Sequence, residues 1–202
     1  TRAYEIYEKT LKKCNAFDFD DLIEKLVILL RDNPNILSKY QNRYQHLLVD
    51  EFQDTNVTQY LLIKLLAKKH NNLSVVGDDA QSIYGWRHAD FRNFLNFEKD
   101  WPNAKVVLLE ENYRSSANII NAANELIKHN KFQKEKTLWT HNPAGNKISV
   151  TTSQSEEEEA GWITAKVMEL RSTNNDSSEI AILYRTNAQS RAIEQFLIYE
   201  QV

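Results

Sequence analysis

The sequence is poor in residues that cross-link or punctuate a chain: one cysteine, Cys14, with four glycines and three prolines in 202 residues. A single cysteine excludes an internal disulfide and a cysteine-built zinc centre, and it suits a reducing compartment, so a cytoplasmic location is expected. So little Gly and Pro excludes linker-like or fibrous character. No run of about 18 apolar residues occurs, so no segment reads as a membrane span; the apolar stretch 61–66 is short and broken by Lys64. The opening Thr1-Arg2-Ala3-Tyr4-Glu5 leads into a charged segment rather than a leader. Because the first residue is not Met, the natural chain is expected to extend upstream. The five histidines, His46, His70, His88, His129 and His141, lack metal-ligand spacing. A basic excess is missing as well: the formal net charge is −3. Any nucleic-acid binding must therefore use local patches and stacking rather than bulk charge.

What is present is an ordinary globular mixture, long enough for one large or two small domains. Helical spacing of Tyr4, Tyr7 and Leu11 predicts a helix over 1–16. Asp18 and Asp20 are candidate caps for a second helix carrying Leu22, Leu26, Leu29 and Leu30. Residues 46–50 read as a strand buried on both faces, 56–70 as a strong helix, and 73–77 and 105–109 as two further strands. Ser115 or Ser116 should cap a helix carrying Ile119, Ile120, Ala123 and Leu126. Beyond the turn-like segment 137–146, a strand is expected at 148–151 and a helix at 156–171. Ser155 and Glu158 form the capping-box pattern of that helix. A loop at 174–178, a strand at 179–184 and a helix at 189–200 complete the reading. Strands alternating with helices predict an α/β fold with parallel sheets, and a weak domain boundary falls near 103–110.

The first segment with chemistry in it is Leu47-Leu48-Val49-Asp50-Glu51. A parallel strand delivers its C-terminal residues to the edge where α/β sheets bind ligands. Two adjacent carboxylates there can divide the labour of nucleotide hydrolysis, one holding Mg²⁺ and the other acting as general base on water. The same residues read equally well as a solvated acidic loop. Taken singly, Tyr84 and Trp86 are more often core than platform, though both sit in a polar stretch. Arg114 alone would be a surface residue or half of an ion pair.

Context narrows these readings. Asp50-Glu51-Phe52-Gln53-Asp54-Thr55-Asn56 is followed by Val76-Gly77-Asp78-Asp79-Ala80-Gln81-Ser82-Ile83-Tyr84-Gly85-Trp86-Arg87, and then by Leu109-Glu110-Glu111-Asn112-Tyr113-Arg114-Ser115-Ser116. This ordered series resembles motifs II, III and IV of the superfamily 1A DNA helicases, the UvrD/Rep/PcrA group. Ala181-Ile182-Leu183-Tyr184-Arg185-Thr186-Asn187-Ala188-Gln189-Ser190-Arg191 is similar to part of that group's second motor domain, with Arg185 and Arg191 left without a role. The resemblance extends over nearly the whole chain.

It implies RecA-like motor domains of the P-loop NTPase class, both partial. Residues 1–107 would be the latter part of domain 1A and 108–202 the first part of domain 2A. It implies an ATP-dependent 3′-to-5′ single-strand translocase and DNA helicase of repair or replication, using ATP and Mg²⁺ and acting on single-stranded DNA and duplex junctions. Asp50 would bind Mg²⁺ and Glu51 would activate water. Gln81 would report nucleotide state. Tyr113 would stack near the adenine and Arg114 would reach the γ-phosphate. Tyr84 and Trp86, with Arg87 beside them, would meet the DNA. Trp139 also matches the group and reads as packing; the segment around Asp18 matches it too, and helix capping accounts for it.

Four positions depart from the commonest pattern: Phe52 for Tyr, Ala80 for Asp, His88 for Gly and Glu111 for Gln. None removes a catalytic group, but His favours backbone angles that differ from those Gly allows. The sequence also has no G-x-x-x-x-G-K-[ST] loop, the element that cradles phosphates, and it lacks the group's late motifs. These residues alone are therefore expected to hydrolyse ATP poorly and, with sheet edges bare, to self-associate. Two rival readings stay open: the motor part of a helicase–nuclease subunit, and a non-hydrolysing DNA-binding module.

Overall fold

In the computed structural model, which describes residues 2–174 and 180–201, the chain divides into two compact units, 1–145 and 146–202. The first contains the only two strands among the described residues. Strand β1 (Leu47–Val49) and β2 (Leu73–Val75) pair in parallel, with Leu47 opposite Leu73 and Val49 opposite Val75. Two further bonds continue the ladder beyond the strands: the Val76 N–H donates to the Val49 carbonyl at 2.8 Å, and the Phe52 N–H to the Val76 carbonyl at 2.9 Å. These bonds place the residues after β1 and β2 side by side.

Helix α1 (Arg2–Lys13) is joined to α2 (Asp21–Asp32) by polar contacts. The Tyr7 hydroxyl donates to Asp18 Oδ2 at 2.8 Å, and Lys25 bridges Glu8 and Asp21 at 3.1 Å each. Of the two expected caps, Asp18 accepts the Asp21 N–H at 2.9 Å, while the Asp20 side chain makes no cap bond. The backbone bond from Asp21 and the Tyr7 hydroxyl hold the Asp18 carboxyl below its usual range. Helix α3 (Pro34–Arg43), absent from the sequence reading, opens on a proline whose fixed φ suits the first helical turn.

Helix α4 (Val57–Ala67) is the connection between the strands. Asn56 and Gln59 cap it reciprocally: Asn56 Oδ1 accepts the Gln59 N–H at 2.8 Å, and Gln59 Oε1 accepts the Asn56 N–H at 2.9 Å. Buried Gln41 ties α3 to α4 by donating to the Leu65 carbonyl at 2.8 Å. Val27, Leu30 and Ala67 are buried here, and their removal from water supplies the main cohesion of this layer.

A second core forms around Phe52, which is fully buried. Short helices α5 (Arg92–Leu95) and α6 (Phe97–Asp100) bring Phe94 and Phe97 to it, and α4 brings Tyr60. Ring centroids lie 5.9 Å (Tyr60), 6.4 Å (Phe94) and 5.5 Å (Phe97, edge-on) from Phe52. Trp101 stacks on Phe97 at 4.6 Å. Asp100 accepts hydrogen bonds from the Tyr60 hydroxyl and from Lys64, so its carboxyl lies below the usual range.

Helix α7 (Ala117–Ile127) begins after Ser116, as expected, but the Ser116 side chain makes no cap bond. The turn 143–145 supplies acceptors instead: the Pro143 and Ala144 carbonyls take the Ala117 and Asn118 N–H groups at 3.1 Å each. Gly145 has φ +69°, and a Cβ there would lie 2.6 Å from the Ser116 Cβ, so any side chain would collide.

In the second unit, α8 (Glu156–Asn174) packs on α9 (Ser190–Tyr199) through Ala160, Val167 and Ile193. Ser155 Oγ accepts the Glu158 N–H at 3.2 Å, and the Glu158 carboxylate accepts the Gln154 N–H at 2.7 Å, so the expected N-terminal signature forms with its return bond one residue early.

Three expected strands are not found. Residues 105–109, 148–151 and the described part of 179–184 form no strand, and Val107, Leu109, Val150 and Leu183 are exposed. Of the loop expected at 174–178, Asn174 is still the last residue of α8, and residues 175–178, with residue 179, lie outside the described residues. An apolar run shows that a segment suits a strand, but a strand exists only where a neighbour accepts its ladder bonds. For the same reason β1 is not buried on both faces: Leu48 is 82% exposed. The described fold is therefore α-rich with a small parallel sheet. None of its described helices is long and apolar enough to cross a membrane.

Candidate functional site

Every candidate site residue lies in the first unit. The acidic pair leaves the end of β1 as the sequence implied. Asp50 Oδ1 accepts the Glu51 N–H at 3.0 Å. Glu51 itself has φ +48° and ψ +42°, a left-handed conformation that costs a non-glycine residue about 1–2 kcal/mol. Strain of this kind collects at functional sites. Its carboxylate accepts from Gln53 Nε2 at 2.7 Å, and Gln53 Oε1 accepts the Asp78 N–H at 3.0 Å. Nearby Asp54 is pushed above its usual range by burial and by the Glu51 charge, and its Oδ1 is buried without a partner.

The loop after β2 continues this chain of bonds. Gln81 Nε2 donates to Asp78 Oδ2 at 2.8 Å, and the Ala80 N–H donates to Asp78 Oδ1 at 3.0 Å. Lys136 pairs with Asp78 at 2.5 Å. Burial raises the Asp78 carboxyl, but the bonds from Lys136 and Gln81 outweigh it, and the group sits below its usual range. The Lys134 N–H donates to Asp79 Oδ2 at 3.0 Å, and its ammonium meets Glu98 at 2.6 Å.

Three and five residues after Gln81, Tyr84 and Trp86 form a tilted pair with centroids 6.2 Å apart. The Arg87 guanidinium lies 4.4 Å from the Trp86 ring and 5.2 Å from Tyr84. Trp86 remains 66% exposed, so its ring is open to a flat partner. His88 ends this turn with φ +64°, the backbone region for which Gly is the usual choice. Replacing His88 by Gly is expected to raise the unfolding free energy by about 0.5–1 kcal/mol, read as a higher urea midpoint, as relief of strain outweighs the added freedom of the unfolded chain; a lower midpoint would show that the imidazole contributes contacts of its own.

A third cluster is built around Asn112. Its Oδ1 accepts the Arg114 and Ser115 N–H groups at 3.0 and 2.8 Å. Asn142 Nδ2 donates to the Tyr113 and Ser115 carbonyls at 3.1 Å each. The Asn112 N–H donates to the Trp139 carbonyl at 2.7 Å, and the Trp139 N–H donates to the Glu110 carbonyl at 2.9 Å. The Trp139 ring also meets His141 edge-on at 4.9 Å, a packing contact at a partly exposed side chain. Tyr113 is exposed, and its hydroxyl donates to Glu111 at 2.6 Å, which raises the phenol. The Arg114 side chain is exposed and makes no ion pair among the described residues.

The structure joins Asp50, Glu51 and Gln81 through Gln53 and Asp78, groups Tyr84 with Trp86 and Arg87, and sets Tyr113 beside Arg114. No hydrogen bond or ion pair among the described residues links Arg114 to Glu51 or Gln81. Sequence reading missed Gln53, Asn142, Lys134 and Lys136. Apart from the Glu51 partner of Gln53, their partners lie 25 or more residues away in sequence, where a local pattern gives no signal.

Residues 1–102 match the family model of the UvrD/REP helicase N-terminal domain, and residues 107–202 match that of the UvrD-like helicase C-terminal domain. The chain belongs to the UvrD/REP helicase family. It is 52% identical over 192 residues to the ATP-dependent DNA helicase PcrA of Staphylococcus epidermidis, covering 95% of this chain and 26% of that protein. Against the PcrA proteins of Leuconostoc citreum and Staphylococcus aureus the identities are 49% and 50%, again over 26% of each relative. The chain spans about a quarter of the length of the curated relatives it matches.

Proposed function

We propose that the full-length protein is an ATP-dependent DNA helicase that translocates 3′-to-5′ along single-stranded DNA, in the cytoplasm, serving repair or replication. One observation carries this reading: the acidic end of β1 is hydrogen-bonded through Gln53 to Asp78 and Gln81, a few residues ahead of an exposed aromatic pair. Family membership and the names of the PcrA relatives support it. In this reading residues 1–107 and 108–202 are parts of two RecA-like motor domains.

Roles follow from chemistry. Glu51 is the general base that orients and deprotonates water. Gln81, bonded to Asp78 here, senses the nucleotide. Tyr113 stacks on the base of ATP, and Arg114, free of ion pairs among the described residues, stabilises charge on the phosphoryl group. Tyr84 and Trp86 stack on DNA bases, and Arg87 adds positive charge beside them. The donor set suits Mg²⁺, which takes one or two carboxylates and completes its shell with phosphate and water. Asp50 supplies such a carboxylate, and no cluster of three or more candidate ligands occurs among the described residues. Bound with ATP, Mg²⁺ would neutralise phosphate charge.

ATP turnover of the full-length protein, measured with and without single-stranded DNA, tests the reading. Strong stimulation by DNA is expected. Trp86→Ala should weaken single-strand binding by about 1–3 kcal/mol, or about 5- to 150-fold. Turnover indifferent to DNA would reject the platform, and no turnover from a folded protein would favour a non-hydrolysing DNA-binding module.

A further inference from the structure

Resting on the reading of Glu51 as general base, we propose that Gln53 is a positioning residue, which holds the Glu51 carboxylate in place and fastens it to the backbone of the Asp78 loop. Gln53 is 1% exposed. A buried amide is tolerated only when its polar ends are satisfied. Both ends are used here. Oε1 accepts the Asp78 N–H at 3.0 Å, and Nε2 donates to Glu51 Oε2 at 2.7 Å.

The orientation of this amide is fixed by its partners. The Asp78 N–H can only donate, so it must face oxygen, and the amide nitrogen is left to face Glu51. A charge-assisted bond of this length is among the stronger polar contacts in proteins. It restrains a side chain whose backbone is already confined to the left-handed region. The Gln53 carbonyl also accepts from Ser82 Oγ at 3.3 Å, a second tie to the loop that leads to Tyr84 and Trp86.

Gly77 makes the arrangement possible. A Cβ at this position would lie 2.4 Å from Gln53 Oε1 and 3.2 Å from the Phe52 nitrogen. Glycine lets the chain just beyond β2 pass close enough for the Asp78 N–H to reach the amide. Movement of the loop would therefore be felt at the Glu51 carboxylate through two hydrogen bonds and one rigid amide.

The test is a double-mutant cycle in the full-length protein, combining Gln53→Met with Glu51→Gln. Gln53→Met alone should lower kcat by about 10–100-fold, as loss of an orienting partner does at comparable sites. The KM for ATP and the affinity for single-stranded DNA should stay within about twofold. In the Glu51→Gln background the same change should alter the residual rate by less than about twofold, because the carboxylate it positions is gone. Equal losses in both backgrounds, or losses that track KM, would assign Gln53 a purely structural part and overturn the proposal. Should Gln53→Met not fold, Gly77→Ala keeps the glutamine and displaces its oxygen; full turnover from that variant would equally overturn it. If Glu51→Gln alone leaves turnover intact, the base assignment fails, a result distinct from an active Gln53→Met beside an inactive Glu51→Gln.

Discussion

Replacing Glu51 by Gln in the full-length protein is expected to lower DNA-stimulated ATP turnover by about 10²–10⁴-fold, the usual contribution of a general base. The structure makes this a clean substitution. Gln53 Nε2 can still donate to an oxygen at position 51, and the bond from the residue 51 N–H to Asp50 Oδ1 is untouched. Shape and nucleotide binding should persist while basicity is lost. Stability should change little, because two effects oppose. Burial and the Glu51 charge raise the Asp54 carboxyl above its usual range. A carboxylate raised on folding destabilises above its folded pKa, and that penalty is relieved as pH falls through the folded value toward the unfolded one. Removing the Glu51 charge shrinks that penalty but also turns the bond from Gln53 into a weaker neutral one, so the urea midpoint at neutral pH should move little. Turnover retained to within about threefold would exclude Glu51 as the base, since that is far below what a base contributes.

Phe52→Ala is expected to have the largest effect on stability, about 3–5 kcal/mol. Phe52 is fully buried and edges or tilts against Tyr60, Phe94 and Phe97. Truncation would leave a cavity whose walls belong to a helix, α4, and to two short helices, α5 and α6, that cannot all close inward. Phe52 also separates Glu51 from Gln53 in sequence, and its N–H continues the ladder by bonding the Val76 carbonyl. The loss should therefore appear in urea titration and in turnover together. Phe52→Leu, which retains most of the volume, should recover a large part of both. A Phe52→Ala protein with an unchanged midpoint would mean that the aromatic cluster is not a cooperative part of the fold.

Much of this was legible in the sequence. The strand–helix–strand unit around α4 showed in its apolar runs, and it forms with parallel strands; the reciprocal cap of Asn56 and Gln59 emerges only in the structure. Asp50 and Glu51 were placed at a strand end by position alone. Helix α3 was missed because Ile36, Leu37 and Tyr40 give only a thin apolar stripe behind Asn33 and Pro34. The strands expected at 105–109 and 148–151 failed for the opposite reason: their apolar content is evident, but pairing depends on partners that a local pattern does not encode. Ser116 was located correctly and its chemistry was not, since carbonyls almost thirty residues away do the capping. Gln53 escaped notice because a lone glutamine in a polar motif reads as solvated until the Asp78 N–H is seen facing it.

The left-handed backbone at Glu51 also bears on how this protein would respond to selection. Gly and Asn adopt that conformation more readily than glutamate. A library screened only for thermal tolerance should therefore enrich them at position 51, emptying the site while improving the fold. Selections that score heat resistance and activity separately would be expected to diverge at this residue before most others, because local strain and chemistry meet there.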